Sequence, residues 1–148
     1  MKNIKNLALT VLISLSFLAC KTALYDHYSF TKTLETKAEA LSLIEVSDQE
    51  YTQHKSKIEA LQNQLDLMVA YEKAKSQNEI TIQMWNYLKN DNSSLQQFLD
   101  LWEEQNTMST VFKEEYKPQA AHIFDLMADY ETKKSKESKS LLLDLITN

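Results

Sequence analysis

Residues 47–75 read SDQEYTQHKSKIEALQNQLDLMVAYEKAK, a stretch whose apolar side chains recur at the spacing of one helix face. They form a seam like that of a coiled coil, about three heptads long. Its members are Tyr51, Ile58 and Leu65 in one heptad position and His54, Leu61 and Met68 in another. Ser47–Glu50 has the pattern of a capping box, so the helix is predicted to begin near Asp48. If it continues to Lys75, it is roughly 42 Å long.

The rest of the chain also has the composition of a helical protein. It contains no glycine and one proline, and good helix formers are abundant. A first helix is predicted by apolar residues at spacings of four and three, namely Phe30, Leu34, Ala38, Leu41 and Ile44. We expect this helix and the long second helix to form an antiparallel hairpin, with shorter helices packed along it.

Further helix boundaries are predicted after residue 75. Capping boxes at Ser76–Glu79 and Ser94–Gln97 each indicate a helix start. Pro118 indicates a boundary followed by a last helix, because proline has no amide proton and disfavours helical angles at Lys117. The expected fold class is all-α, a small antiparallel bundle of four to five helices with a long second helix.

The C-terminal segment 133–148 combines two compositions. A polar run from Lys133 to Ser140 is predicted to be solvated, and an apolar cluster from Leu141 to Ile146 follows it. The cluster is predicted either to dock on the bundle, which is slightly favoured, or to engage a partner.

The N-terminus has the parts of an export signal. Lys2 and Lys5 precede an apolar run from Leu7 to Ala19, which is shorter than the ~20 residues of a membrane-spanning helix. Phe17-Leu18-Ala19-Cys20 then resembles the lipobox of bacterial lipoproteins, with Phe17 where leucine is usual and Leu18 where a smaller residue is common. Ordinary cleavage after Ala19 is the alternative, and the bulk of Phe17 disfavours it.

This resemblance implies that Cys20 carries the lipid and that the mature protein is held on a membrane without spanning it. Lys21 is not the aspartate that resembles an inner-membrane retention signal, so the implied location is the periplasmic face of the outer membrane. The predicted segments are a signal peptide (1–19), the lipidated cysteine with a short linker (20–26), the helical bundle (27–132) and the tail (133–148).

Charge and composition exclude several function classes. Loss of Lys2 and Lys5 with the leader leaves 14 lysines against 21 acids, a net charge of −7, which argues against nucleic-acid binding. Without glycine there is no phosphate-binding loop or dinucleotide fingerprint, and no cofactor is expected. The chain also has no arginine, so it cannot clamp a phosphate through two parallel hydrogen bonds.

The chain contains three histidines, the residue type most often found as a metal ligand or catalytic base. His27, His54 and His122 lack the paired Glu-x-x-His pattern of di-iron bundles, and the His-Glu-x-x-His motif is absent. We interpret His54 as a residue at the edge of the core and His122 as a partly exposed helix residue. No metal or catalytic residue is predicted, and the protein is not expected to be an enzyme.

Aromatic residues concentrate in the middle of the chain. At helical spacing they are most often core, and the alternative is a patch that binds a partner, with Trp85, Tyr87, Trp102 and Tyr116 as its residues. The predicted function is that of a lipid-anchored envelope protein that binds another protein as a scaffold or accessory subunit. The alternative is an immunity or inhibitor lipoprotein that neutralises a toxin or lytic enzyme, since an acidic bundle suits a basic target.

Overall fold

The computed structural model describes residues 25–76 and 78–147, without the side chains of Lys136, Ile146 and Thr147. These residues form α-helices and no strand, which confirms the all-α prediction. There are six helices rather than four to five: α1 (His27–Glu45), α2 (Tyr51–Lys73), α3 (Glu79–Leu88), α4 (Ser94–Gln105), α5 (Thr110–Lys133) and α6 (Lys136–Thr147).

Helix α1 lies between α2 and α5 and runs antiparallel to both. Ser29 near the start of α1 contacts Glu72 near the end of α2. Likewise, the Asp26 amide donates to Glu131 near the end of α5, while Lys117 nearer the start of α5 pairs with Glu45. The expected α1–α2 hairpin is present, but the longest helix is α5 with 24 residues, one more than α2.

The bundle therefore has two ends, which we call proximal and distal. The proximal end is formed by residues 25–28, 72–76, 78–79 and 129–139, where α1 begins and α2 and α5 end. The distal end contains the turn between α1 and α2 and the turn between α4 and α5. The two turns are joined by backbone hydrogen bonds from the Tyr51 amide to the Asn106 carbonyl and from the Met108 amide to the Ser47 carbonyl.

Two of the predicted capping boxes are wrong. Helix α2 begins at Tyr51, three residues later than expected, because the Ser47 hydroxyl donates to the Ile44 carbonyl and extends the preceding turn instead. Helix α3 begins at Glu79, after Asn78, whose side-chain amide donates to Glu72 rather than capping the helix. At both helix starts the polar side chain forms a hydrogen bond to another residue, Ile44 in the preceding turn or Glu72 at the end of α2, and so does not cap the helix.

The third box is displaced by one residue. Ser93 rather than Ser94 caps α4, accepting a hydrogen bond of 3.2 Å from the Gln96 amide. The Gln96 side chain does not return to the cap, because its amide donates to the Leu88 carbonyl at 2.7 Å and so ties α4 to the end of α3.

Pro118 does not form a boundary, because it lies inside the continuous helix α5. An interior proline removes one helical hydrogen bond and costs ~3 kcal/mol or more. Apolar side chains of α5 pack on the core on both sides of it, and their burial offsets this cost. These side chains are Phe112 and Tyr116 before the proline and Ala120, Ile123, Phe124 and Met127 after it.

The C-terminal tail is part of the bundle. The run predicted to be solvated forms the end of α5, a turn and the first half of α6. Lys133, Glu137, Lys139 and Ser140 in it are exposed, as expected, but Ser138 is buried. Leu142 is fully buried in the core, and Leu145 packs against the core from the same helix. The docking interpretation is therefore the one that the structure supports for the tail.

Candidate functional site

The histidines do not come together. His54 is buried, its Nε2 lies 2.9 Å from Gln49 Oε1 and its ring lies 5.5 Å from that of Trp102. His122 is exposed on α5, and His27 is exposed at the proximal end. Within residues 25–76 and 78–147, no group of three or more histidine, cysteine or acidic side chains is arranged to hold a metal ion.

Two of the aromatic residues considered for partner binding lie in the core. Trp85 and Trp102 have no exposed surface, and the Trp102 Nε1 donates to the Gln49 carbonyl at 3.1 Å. The core interpretation is therefore correct for both indoles, which no partner can reach in this fold. Tyr87 and Tyr116 are half-buried against the core and retain some exposed surface.

A groove with a volume of about 600 Å³ runs between α1 and α2. Small and apolar side chains line it, among them Ala38, Ser42, Leu43, Val46 and Ala60. On α1, Leu34 lies one turn before Ala38 and on the same face as Ala38 and Ser42. On α2, Leu67 lies one turn after Gln64 and on the same face as Ala60 and Gln64. Leu34 is 42% exposed and Leu67 is 53% exposed, so the apolar face extends beyond the groove.

Polar groups in this groove are left without partners. Glu39 lines it from α1 and Lys57 from α2, and neither has an ion-pair or hydrogen-bond partner among the described residues. The side-chain amide nitrogen of Gln64 is also buried without a hydrogen-bond partner. An unpaired buried donor costs about 1–3 kcal/mol, which a ligand that accepts a hydrogen bond there would recover.

A second, acidic hollow of about 460 Å³ lies between α2 and α4 toward the distal end. Glu59, Asp100 and Glu103 line it together with Tyr51. Burial and then the negative charges of Glu103 and Asp100 raise the pKa of the Tyr51 hydroxyl above its ordinary value. The hollow therefore has a negative potential that suits a cationic side chain.

A network of polar side chains closes the proximal end, and its centre is the fully buried carboxylate of Glu72. Glu72 Oε1 accepts from the Ser29 hydroxyl at 2.6 Å, and Oε2 accepts from the Asn78 amide and from Lys75 Nζ, the latter at 2.7 Å. These contacts join α1, α2 and the start of α3. A buried carboxylate with this many donors is fully satisfied.

Asp26 is the second carboxylate of this network, and it caps α1. Its Oδ1 accepts from the Tyr28 and Ser29 amides, and its Oδ2 accepts from the Tyr71 hydroxyl at 2.7 Å and from Lys75 Nζ at 2.6 Å. Burial opposes ionisation, but the hydrogen bonds and the charge of Lys75 together lower the Asp26 pKa to about 2.

The same hydrogen bonds change the pKa values of the donor groups. The hydrogen bond to Asp26 raises the pKa of the Tyr71 hydroxyl. Burial opposes the charge of Lys75, but its bonds to Asp26 and Glu72 raise its pKa. The lowered pKa of Asp26 and the raised pKa of Lys75 therefore keep this ion pair charged at neutral pH.

Glu131 brings α5 into this network. Its side chain is buried, its Oε1 accepts from the Asp26 backbone amide at 2.7 Å and its Oε2 accepts from Lys134 Nζ at 2.6 Å. The point at which the chain enters α1 is thereby fixed to the ends of both α2 and α5.

Sequence reasoning missed this network, although a signal for it exists. Glu72 follows Leu65 by seven residues and so continues the heptad position of Tyr51, Ile58 and Leu65. Glu131 likewise follows Phe124 by seven. A charged residue in line with an apolar seam indicates a buried charge with partners, and both residues fit that pattern.

Cys20, the predicted lipidation site, lies outside the described residues. Among the helices that are described, none combines the length and the hydropathy required to cross a membrane. In comparisons with protein families, curated proteins and solved structures, no match to this chain was found.

Proposed function

We propose that this protein is a lipid-anchored component of the bacterial cell envelope that binds another protein through the groove between α1 and α2. The lipobox-like segment ending at Cys20 supports the anchor. The groove supports the binding, because it combines an apolar lining with opposite charges that have no partner.

The groove suits an amphipathic helix of the partner. Its walls are two helices, and a third helix laid between them extends the packing that the bundle already uses. Glu39 on one wall selects a basic residue on the partner, and Lys57 on the other wall selects an acidic one. Leu34 and Leu67 add apolar contacts beyond the groove.

The test is site-specific photocrosslinking in cells that carry the full-length protein in their own membranes. A photoreactive residue in place of Ala60 should give a crosslinked product of one defined mass. The same residue in place of Val111, which is 71% exposed on α5, should give none. Leu67→Asp should remove the product at position 60 without changing the unfolding midpoint, since Leu67 is outside the core. Absence of a product at both positions would contradict protein binding through this groove.

The acidic hollow supports a second function, neutralisation of a basic toxin or lytic enzyme. Glu59, Asp100 and Glu103 form no ion pair within the described part of the chain, so their charges are available to cationic side chains. A photoreactive residue at position 59 distinguishes the two functions. A product there and none at position 60 favours the inhibitor, and the reverse favours the scaffold or accessory subunit.

A further inference from the structure

Lysine and tyrosine side chains gather at the proximal end. The cation–π contacts of the described residues all lie there, and each joins a tyrosine to the lysine four residues later: Tyr28 with Lys32, Tyr71 with Lys75 and Tyr130 with Lys134. Tyr25 is 50% exposed and Tyr28 is 42% exposed beside them. Tyrosine and lysine both carry an apolar body and a polar tip, which suits the interface between membrane and water.

Charge differs between the two ends of the bundle. Residues 37–62 and 98–121, toward the distal end, contain ten acids and five lysines. The proximal end, residues 25–28, 72–76, 78–79 and 129–139, contains six of each. Three of its acids (Asp26, Glu72 and Glu131) and two of its lysines (Lys75 and Lys134) are paired in the polar network, and the remaining three acids face four lysines. The proximal end is therefore the part of the bundle that an anionic surface repels least.

The reach of the chain is short on this side. Tyr25 is the fifth residue after Cys20, and at no more than ~3.6 Å per residue this stretch spans at most about 18 Å. Helix α5 with its 24 residues is about 36 Å long, so the distal end of the bundle lies about 36 Å from Tyr25. This is roughly twice the reach of the chain between Cys20 and Tyr25. A lipid on Cys20 thus keeps the proximal end, rather than the distal end, close to the bilayer.

We infer that the proximal end rests on the anionic phospholipid surface, with Tyr25 and Tyr28 in the headgroup region and Lys73 and Lys139 facing the phosphates. This inference rests on the proposed lipid anchor. The polar network makes the contact directional, because Asp26 is bonded to α2 through Tyr71 and Lys75 and to α5 through Glu131. The bundle consequently stands on the membrane and presents the acidic hollow on its distal side away from it.

The test uses the acylated protein in vesicles of phosphatidylethanolamine and phosphatidylglycerol, with a nitroxide label on one introduced cysteine. An acylated Cys20 has no free thiol, so Ser76→Cys labels the proximal end alone and Thr107→Cys labels the distal end alone. Both positions are exposed. The label at position 76 should be shielded from a water-soluble nickel chelate and accessible to oxygen dissolved in the bilayer, and the label at position 107 should be open to the chelate.

Two pairs of lysine substitutions test whether electrostatic attraction to anionic lipid contributes to the membrane contact. Lys73 and Lys139 are exposed and have no ion-pair partner among the described residues, as is true of Lys55 and Lys57 toward the distal end. At about 1 kcal/mol per lysine near an anionic surface, Lys73→Gln with Lys139→Gln should lower the ratio of membrane-contacting to detached bundle about 30-fold. Lys55→Gln with Lys57→Gln should leave that ratio unchanged, and phosphatidylcholine vesicles should weaken the contact of the unaltered protein.

Mass spectrometry of the purified protein distinguishes a failure of the proposed lipid anchor from a failure of this inference. If the protein carries no acyl chains, the proposed anchor is wrong and this inference falls with it. If it is acylated and the label at position 76 is as open to the chelate as the label at position 107, the inference alone is wrong. Equal effects of the two lysine pairs would likewise overturn the assignment of the contact to the proximal end.

Discussion

At the distal end the Trp102 indole is fully buried among aromatic rings, while at the proximal end the Glu72 carboxylate is buried just as completely among hydrogen-bond donors. The rings of Tyr51, Phe98 and His54 lie 5.5–6.3 Å from that of Trp102. The stability of the distal end comes from the area that these rings bury. At the proximal end several charged groups lose their hydration and gain fixed hydrogen bonds instead. This exchange adds less to the stability of the fold, but it defines one arrangement of the helix ends.

This difference matches what each end has to do under the proposed function. A buried carboxylate accepts only the donors that point at it, so the proximal network fixes the start of α1 against the ends of α2 and α5. Aromatic packing tolerates small shifts between neighbours. The proximal network therefore holds an orientation, and the distal cluster supplies stability.

The largest effect is expected at the distal end. Trp102→Ala removes a fully buried indole and its hydrogen bond to the Gln49 carbonyl, and should lower the free energy of unfolding by about 3–5 kcal/mol in chemical denaturation. Val111→Ala at the same end removes an exposed side chain and should change it by less than about 0.5 kcal/mol. If Trp102→Ala costs no more than Val111→Ala, the aromatic cluster does not hold the distal end together.

The sequence predicted the distal side of this comparison well. The absence of glycine, the heptad seam of α2 and the apolar stripes predicted the all-α class and the α1–α2 hairpin. They also placed His54 at the edge of the core, where it is buried. Core burial of aromatic residues follows from composition and periodicity, because the hydrophobic effect depends on area rather than on direction.

The proximal side was predicted poorly for a physical reason. The sequence indicates no tertiary role for Ser29, Glu72 or Asp26, because local spacing cannot show a hydrogen-bond partner that is distant along the chain. Ser29 and Glu72 are 43 residues apart, and Asp26 and Glu131 are 105 apart. The groove between α1 and α2 was missed as well, since its shape depends on how two helices diverge.

An intermediate effect is expected from the centre of the proximal network. Glu72→Ala leaves the Ser29 hydroxyl and the Asn78 amide buried without their acceptor, and should cost about 1–3 kcal/mol in denaturant unfolding. Glu59→Ala is the matched control, because it removes an exposed glutamate from the same helix. A loss as large as that of Trp102→Ala would show that the two ends are equally important for stability, contrary to the comparison drawn above.

The smallest effect concerns the pH dependence that the Asp26 carboxylate gives the proximal end. The Asp26 pKa is lowered from 3.8 to about 2 in the folded protein, so ionised Asp26 stabilises the fold at pH values above about 4. That contribution is lost as the pH falls from about 4 toward 2, where the folded protein also binds the proton. Because the Asp26 side chain is 21% exposed, solvent screening reduces the contribution to about 1–2 kcal/mol.

The measurement is the difference in unfolding free energy between the unaltered protein and Asp26→Asn, taken from pH 7 down to pH 2. Asparagine keeps a side-chain oxygen for the amides of Tyr28 and Ser29 but loses the charge that attracts Lys75, so the difference should be largest near neutral pH and should close below about pH 4. Asp91→Asn removes an exposed carboxylate that has no ion pair in the described part of the chain, and it controls for the loss of one negative charge. A difference that stays constant to pH 2 would mean that Asp26 acts through its shape alone, and the proximal end would then be no more sensitive to pH than the aromatic distal end.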